Sequence, residues 1–333
     1  MSKPKAVALY SGGLDSTLAI LIMAQWGVEI EALHFNTDLI PDKYQQNFHN
    51  QLKKDADKFG FKYTKLHLGQ KFYDMVANPV HGYGKNMNPC IDCKILMISE
   101  AGKYMRETGA DFIITGEVVG QRPMSQMRQT LYMIENRAEL EGLIVRPLSG
   151  RILEPTIPEE KGLIKREWLL DINGRSRKAQ TDLAAQYGLE DYPNPAGGCL
   201  LTDPNYASRL KDMLDHDIVL NEAEIFTLRV GRHFRLSANC RLVVGRDEPD
   251  NNAIEELILP DDYVIEVKDA GSPIAILRGQ PSENELHLAA AIVAGYSSAK
   301  KQATVIVDID HGDDNRKVEV KPAGQDIREK YHV

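Results

Sequence analysis

With 43% hydrophobic and 26% charged residues, a chain of 333 residues reads as a soluble globular protein of two or three domains, with no apolar run near the length of a membrane span. Its net charge of −8 excludes a uniformly basic nucleic-acid binder, and four cysteines are too few for a secreted disulfide scaffold. Met1-Ser2-Lys3-Pro4-Lys5 leads directly into an apolar run rather than a secretory signal, so a cytoplasmic location is expected. The charge is uneven. Residues 1–210 balance 25 basic against 25 acidic residues, so all the net acidity falls on the remainder.

The first 150 residues alternate strand-like and helix-like segments: Ala6–Tyr10, a helix to Trp26, Glu29–Phe35, a helix near Asp42–Phe59, Tyr63–Leu68, a helix near Ile91–Glu107, and Phe112–Gly116. That alternation predicts an α/β fold, a doubly wound parallel sheet with helices on both faces, whose ligands sit at the carboxyl ends of the strands. Three segments end there: Ser11–Ser16, His34-Phe35-Asn36 and Thr115-Gly116-Glu117. In the first, an apolar strand, a Ser/Gly turn and an immediate helix start bring backbone N–H groups and a helix N-terminus together, which makes an anion site. Gly12 and Gly13 let the backbone approach a phosphate, and Ser11, Ser16 and Thr17 add hydroxyls. His34, Phe35 and Gly116 are expected to contact the nucleotide. Asp15 would repel a triphosphate unless it reaches a Mg²⁺ bridging the phosphates.

Further along, Arg146-Pro147-Leu148 reads as another strand end, a charged helix is expected within Ile157–Leu170, and Ser176 as the N-cap of a helix running to Tyr187. Arg175, Arg177 and Lys178 are candidates to face RNA phosphates. The turn-rich Tyr192–Gly198 stretch leads into Cys199, and the first domain is expected to end near 210. Residues 211–333 then read as a smaller α+β domain: strands at Cys240–Val244, Tyr263–Val267, Ile274–Leu277 and Thr304–Ile309, a helix at His287–Tyr296, and an exposed tail around Asp313–Lys317. Within this acidic part, Arg229, Arg232, Arg235, Arg241 and Arg246 share a run with no acid, a patch suited to a polyanion. Arg232, Arg235 and Arg246 are the RNA-binding candidates there, with His233 and Phe234 placed to stack on bases.

Cys90 and Cys93 lie three apart where a turn becomes a helix, whose N-terminus is expected to lower their thiol pKa values. Cys199 follows Gly197-Gly198 in a second loop. Cys240 reads as buried structure.

Ser11-Gly12-Gly13-x-Asp15-Ser16 resembles the pyrophosphate loop of the ATP pyrophosphatase superfamily, whose members adenylate a carbonyl oxygen. Asn88-Pro89-Cys90-x-x-Cys93 with Gly198-Cys199 resembles the tRNA 2-thiouridylases, which implies Cys93 and Cys199 as the working pair. Thr115-Gly116-Glu117-x-x-Gly120-Gln121-x-x-x-Ser125-Gln126 with Arg146-Pro147-Leu148 is similar to the tRNA 4-thiouridine synthetases. Gly231-Arg232-His233-Phe234-Arg235, Val244-Gly245-Arg246-Asp247, Asn251-Asn252 and Ala289–Ser297 resemble the RNA-binding domain of NFACT proteins. Neither the sulfur-carrier and N-terminal RNA-binding domains of many 4-thiouridine synthetases nor the barrels of the 2-thiouridylases are expected in the chain.

These resemblances imply an enzyme that uses ATP and Mg²⁺ to adenylate a uridine carbonyl in tRNA and then replaces the oxygen with sulfur. Two sulfur steps fit. In one, Cys90, Cys93 and Cys199 ligate a [4Fe–4S] cluster whose fourth iron binds sulfide; in the other, Cys199 or Cys93 carries a persulfide supplied through a cysteine desulfurase and the other thiol resolves it. The cluster is favoured because the second version gives Cys90 no role. Two alternatives stand beside this reading: an adenylating enzyme acting on a small molecule, and a non-catalytic RNA-binding protein. A homodimer is compatible with all of them.

Overall fold

The computed structural model describes residues 3–39, 42–189, 192 and 199–333, with the backbone alone for 42–48. The Gly197-Gly198 approach to Cys199 and most of the turn-rich stretch before it lie outside the described residues. Two compact units are present, Met1–Cys199 and Leu200–Val333.

The first unit runs β1 (Lys5–Leu9), α1 (Leu14–Ala24), β2 (Glu29–Asn36), α2 (Asp42–Phe59), β3 (Lys62–His67), α3 (Gln70–Ala77), α4 (Cys90–Thr108), β4 (Phe112–Ile114), α5 (Arg128–Arg137), β5 (Ile144–Val145), α6 (Ile157–Glu160) and α7 (Lys178–Gln186). Its sheet has the order β3-β2-β1-β4-β5 with every pairing parallel. β1 is central, and its Val7 and Ala8 are fully buried, as apolar residues on both faces of a covered parallel strand must be. The chain leaves β1 toward β2 and β3, then returns to build β4 and β5 on the other side. The switch point therefore lies between β1 and β4, outside their carboxyl ends, where a doubly wound sheet binds its ligand. Leu18, Ile20, Leu21, Ile22 and Met23 of α1 pack into the core beside it.

Two local expectations change. The charged helix of 157–170 is only the single turn of α6 and a separate 3₁₀ turn at Arg166–Trp168, because Gly162 takes a positive φ of 68° that ends the first. The helix α7 starts at Lys178 instead of after Ser176, whose hydroxyl accepts the Lys178 N–H at 3.4 Å.

The second unit comprises α8 (Pro204–Asp215), α9 (Glu222–Thr227), β6 (Arg232–Ser237), β7 (Cys240–Val244), α10 (Glu248–Glu255), β8 (Tyr263–Glu266), β9 (Ala275–Gly279), α11 (Glu283–Ala294), β10 (Val305–His311), β11 (Asp314–Val320) and α12 (Gln325–Tyr331). Its antiparallel sheet is ordered β11-β10-β8-β9-β7-β6, and Leu286, Ala289, Ala290 and Val293 of α11 join its core. α8 belongs here because Arg209 donates to the Leu228 carbonyl at 2.9 Å and Asp212 accepts from Arg235, so the unit begins before residue 210. The expected tail is instead β11, an edge strand turned back by Gly312 and kept exposed by its charged residues. Cys240 is fully buried in β7. No helix among the described residues is long and apolar enough to cross a membrane.

Candidate active site

The loop between β1 and α1 is shaped by its own side chains. Ser16 and Thr17 donate their hydroxyls to the Gly13 carbonyl at 2.9 and 3.1 Å, and Ser16 Oγ accepts the Ser11 N–H at 3.3 Å. Those two hydroxyls brace the turn rather than standing ready for a phosphate, which revises the role read from the sequence. Gly12 needs its positive φ of 71°, and Gly13 is the N-cap of α1 without any side-chain cap, so the first-turn N–H groups keep their capacity for an anion.

Asp15 sits in that first turn with a fixed orientation. Gln121 Nε2 donates to its Oδ2 at 2.7 Å, Arg177 Nη2 donates to the same oxygen at 3.3 Å, and Gln180 Nε2 in turn holds Gln121 Oε1 at 2.9 Å. The other oxygen, Oδ1, is buried and has no hydrogen-bond partner among the described residues. A carboxylate oxygen so placed matches the donor a Mg²⁺ requires. Arg177, an RNA candidate in the sequence, thus contacts the first turn of α1, while Arg175 and Lys178 are exposed beside it.

Gly116 closes the opposite wall. A Cβ there would lie 2.5 Å from Ser16 N and 2.6 Å from the Asp15 carbonyl carbon, so only glycine lets β4 approach the helix start this closely. On the third side, pairing of β2 with β1 ends at Leu33 while pairing with β3 continues to Asn36, so the chain from His34 to Asn36 extends past β1 toward the switch point. The side chains turn away: Phe35 is buried, and His34 Nδ1 bonds the Tyr10 carbonyl at 2.9 Å. Burial pulls the His34 imidazole down to about 4, which keeps it neutral.

The residue after Gly116 ties this loop to the cysteines. Glu117 accepts from Lys94, from Arg146 Nε at 3.0 Å and from the Thr115 hydroxyl at 3.2 Å; Arg146 also donates to Glu135. Burial alone would raise the Glu117 carboxyl, but Lys94 and Arg146 outweigh it and hold the group at about 2. Because that value lies below the ordinary 4.5, the stabilisation is present at neutral pH and is lost as pH falls through about 2. Glu117→Gln leaves two cations without their shared carboxylate, and a loss of about 3–5 kcal/mol in urea unfolding at pH 7 is expected. A variant as stable as the parent would show that the network carries no such load.

Lys94 follows Cys93 on α4, which opens at Cys90. Cys90 and Cys199 both lie near enough to Cys93 for their charges to act on it. Burial first, and then those two neighbours, push the Cys93 thiol up to about 12, the opposite of the expected lowering by the helix N-terminus. Thiols are the donors an iron–sulfur centre takes. Even so, no group of three or more His, Cys, Asp or Glu stands in metal-holding geometry among the described residues. Asp92, between the cysteines, accepts from the His81 backbone N–H at 3.0 Å and bonds its Nδ1 at 2.9 Å.

In the second unit the acid-free arginine run is largely matched by acids from elsewhere. Arg235 donates to Asp212, Arg241 to Glu224 and Arg246 to Asp250, while Arg232 donates to the Gly245 carbonyl at 3.0 Å. His233 and Phe234 are both buried, at 5% and 1% exposed, so neither is a stacking surface for a base.

Residues 1–156 match the family model described as thiamine biosynthesis protein (ThiI), and residues 231–332 match that of the NFACT protein RNA binding domain. Each of the two family models thus matches less than half of the chain. Over 146 residues it is 31% identical to a probable tRNA sulfurtransferase of Thermococcus kodakarensis, a match covering 44% of this chain and 37% of that one. The chain thus spans little more than a third of that relative. Among solved structures, it is similar to a 4-thiouridine synthetase–RNA complex with bound ATP (22% identity, TM-score 0.41, covering 67% of this chain and 53% of that one). It is also similar to the U34-tRNA thiolase NcsA of Methanococcus maripaludis with its [4Fe–4S] cluster (14% identity, TM-score 0.35, covering 68% and 71%). The residues matched by the first of these models include Asp15, Gly116, Gln121, Cys90 and Cys93; Arg177, Gln180 and Cys199 lie beyond them.

Proposed function

We propose that the protein is an ATP-dependent tRNA sulfurtransferase that adenylates a uridine carbonyl and replaces its oxygen with sulfur. One observation carries this reading: the adjacent residues Gly116 and Glu117 join the two halves of the chemistry. Gly116 packs on the Asp15–Ser16 backbone, and Glu117 holds the Lys94 that follows Cys93. In this reading an activated carbonyl formed at the loop meets sulfur delivered from the helix that carries Cys90 and Cys93.

The uridine oxygen is a poor leaving group. Its attack on the α-phosphorus of ATP forms the O–P bond and releases pyrophosphate, and the first-turn N–H groups of α1 receive the departing phosphates. Mg²⁺, held by Asp15 Oδ1, would supply charge neutralisation on the phosphate oxygens. Sulfur then bonds the ring carbon and AMP leaves with the former carbonyl oxygen. Cys90, Cys93 and Cys199 would hold a [4Fe–4S] cluster, which supplies a binding place for inorganic sulfide. A Cys93 thiol at about 12 gives little thiolate at neutral pH, which weighs against it as the persulfide-bearing nucleophile.

The test is to incubate the reconstituted protein with ATP, sulfide and unmodified tRNA, then digest the tRNA and analyse its nucleosides by mass spectrometry. Thiouridine with matching AMP is expected. AMP formation with a small metabolite and without tRNA would replace this reading by a small-molecule ligase.

A further inference from the structure

The second unit carries more Asp and Glu than Lys and Arg, yet the guanidiniums of Arg232 and Arg328 bond carbonyls and not carboxylates among the described residues. Arg232 on β6 donates to the Gly245 carbonyl at 3.0 Å. Arg328, on α12 and outside the arginine run, donates to the carbonyls of Gly295 and Gly324, each at 3.3 Å. Neither forms an ion pair among the described residues, and both are half-buried. A carbonyl accepts a hydrogen bond without cancelling charge, so each keeps its full positive charge while losing rotational freedom.

The two converge on one ring. The guanidinium carbons of Arg232 and Arg328 each lie 4.5 Å from the centre of Tyr296. Beside them His332 packs edge-on against Phe234, with centroids 5.5 Å apart, and burial together with Arg209 and Arg232 lowers its imidazole pKa. Arg209 is held by the carbonyls of Leu228 and Gly231 at 2.9 and 3.1 Å, with its charge partly offset by Asp250 and Asp203. Like charges around one ring without a counter-ion repel one another, and a nearby anion relieves that repulsion. Arg235, Arg241 and Arg246 have that relief already, from Asp212, Glu224 and Asp250.

We propose that Arg232 and Arg328, set on Tyr296, form the phosphate-binding site through which the second unit grips the RNA backbone. The proposal rests on the tRNA reading above and moves the contact away from Arg235 and Arg246. A fixed planar guanidinium suits a phosphate oxygen pair, and two of them on one rigid ring suit a polyanion better than a lone ion.

The experiment is the salt dependence of binding of a fluorescent tRNA transcript to the full chain, measured by anisotropy. Each lost phosphate contact flattens the log–log slope by about 0.7–0.9. Arg232→Gln and Arg328→Gln should each do so, the double variant by about twice as much, and Arg235→Gln should leave the slope where it was. Arg232→Lys and Arg328→Lys keep the charge and should keep the slope. Slopes unchanged in the Gln variants, with the parent still binding RNA, overturn the site and leave the tRNA reading standing. A slope lost equally in the Lys and Gln variants marks a packing role and overturns it as well. A parent chain without salt-dependent RNA binding overturns the tRNA reading itself.

Discussion

Asp15→Ala is expected to lower ATP-dependent AMP formation by on the order of 10³-fold, while the affinity for tRNA stays within about twofold of the parent. Removing the carboxylate deletes the buried Oδ1 that has no hydrogen-bond partner among the described residues and leaves Gln121 and Arg177 without their acceptor. The fold should survive, because α1 is held by Leu18, Ile20, Leu21 and Ile22 in the core. Pyrophosphate exchange together with anisotropy on labelled tRNA separates the two effects. Unaltered exchange would refute the cation-binding role. Gln121→Leu keeps the carboxylate but releases its orientation, so a smaller loss, about tenfold, is expected from geometry alone.

The contrast between these residues shows which parts of the site a sequence can reveal. The loop from Ser11 to Thr17 is legible because it is local: a strand, two glycines and a helix start follow one another in the sequence. Gly116 is legible as the end of a buried strand. Gln121 and Arg177 reach Asp15 from 106 and 162 positions away, so nothing in the local pattern around either predicts the contact. The parallel sheet follows from the alternation of elements, whereas β6 and β11 do not. In β6 the arginines interrupt the apolar pattern, and β11 is an edge strand with a charged face. The arginine run misleads for a related reason. An acid-free local sequence reads as free charge, while its counter-ions come from α8, α9 and α10. The lowered thiol pKa fails likewise, since a helix N-terminus is visible in sequence and the burial of Cys93 beside Cys90 and Cys199 is not.

Protein purified without oxygen is expected to contain about four irons and four acid-labile sulfides per chain, and Cys90→Ala, Cys93→Ala and Cys199→Ala should each lose them. Cys240→Ala should keep them, because that thiol is buried in β7 of the second unit. The physical case lies in the mutual effect of the three thiols. Burial and two neighbouring sulfurs oppose a thiolate at Cys93, and a cationic centre reverses that balance by binding the sulfur in deprotonated form. Persulfide transfer places the opposite demand on the same group, since the attacking sulfur must already be ionised at neutral pH. Iron and sulfide analysis with the visible spectrum therefore discriminates between the two. A native chain without iron that still thiolates tRNA, with activity lost in Cys93→Ala and Cys199→Ala but retained in Cys90→Ala, would establish a two-thiol relay. Equal loss in all three variants, together with the iron, would assign the thiols to one centre, with Cys90 as necessary as the others.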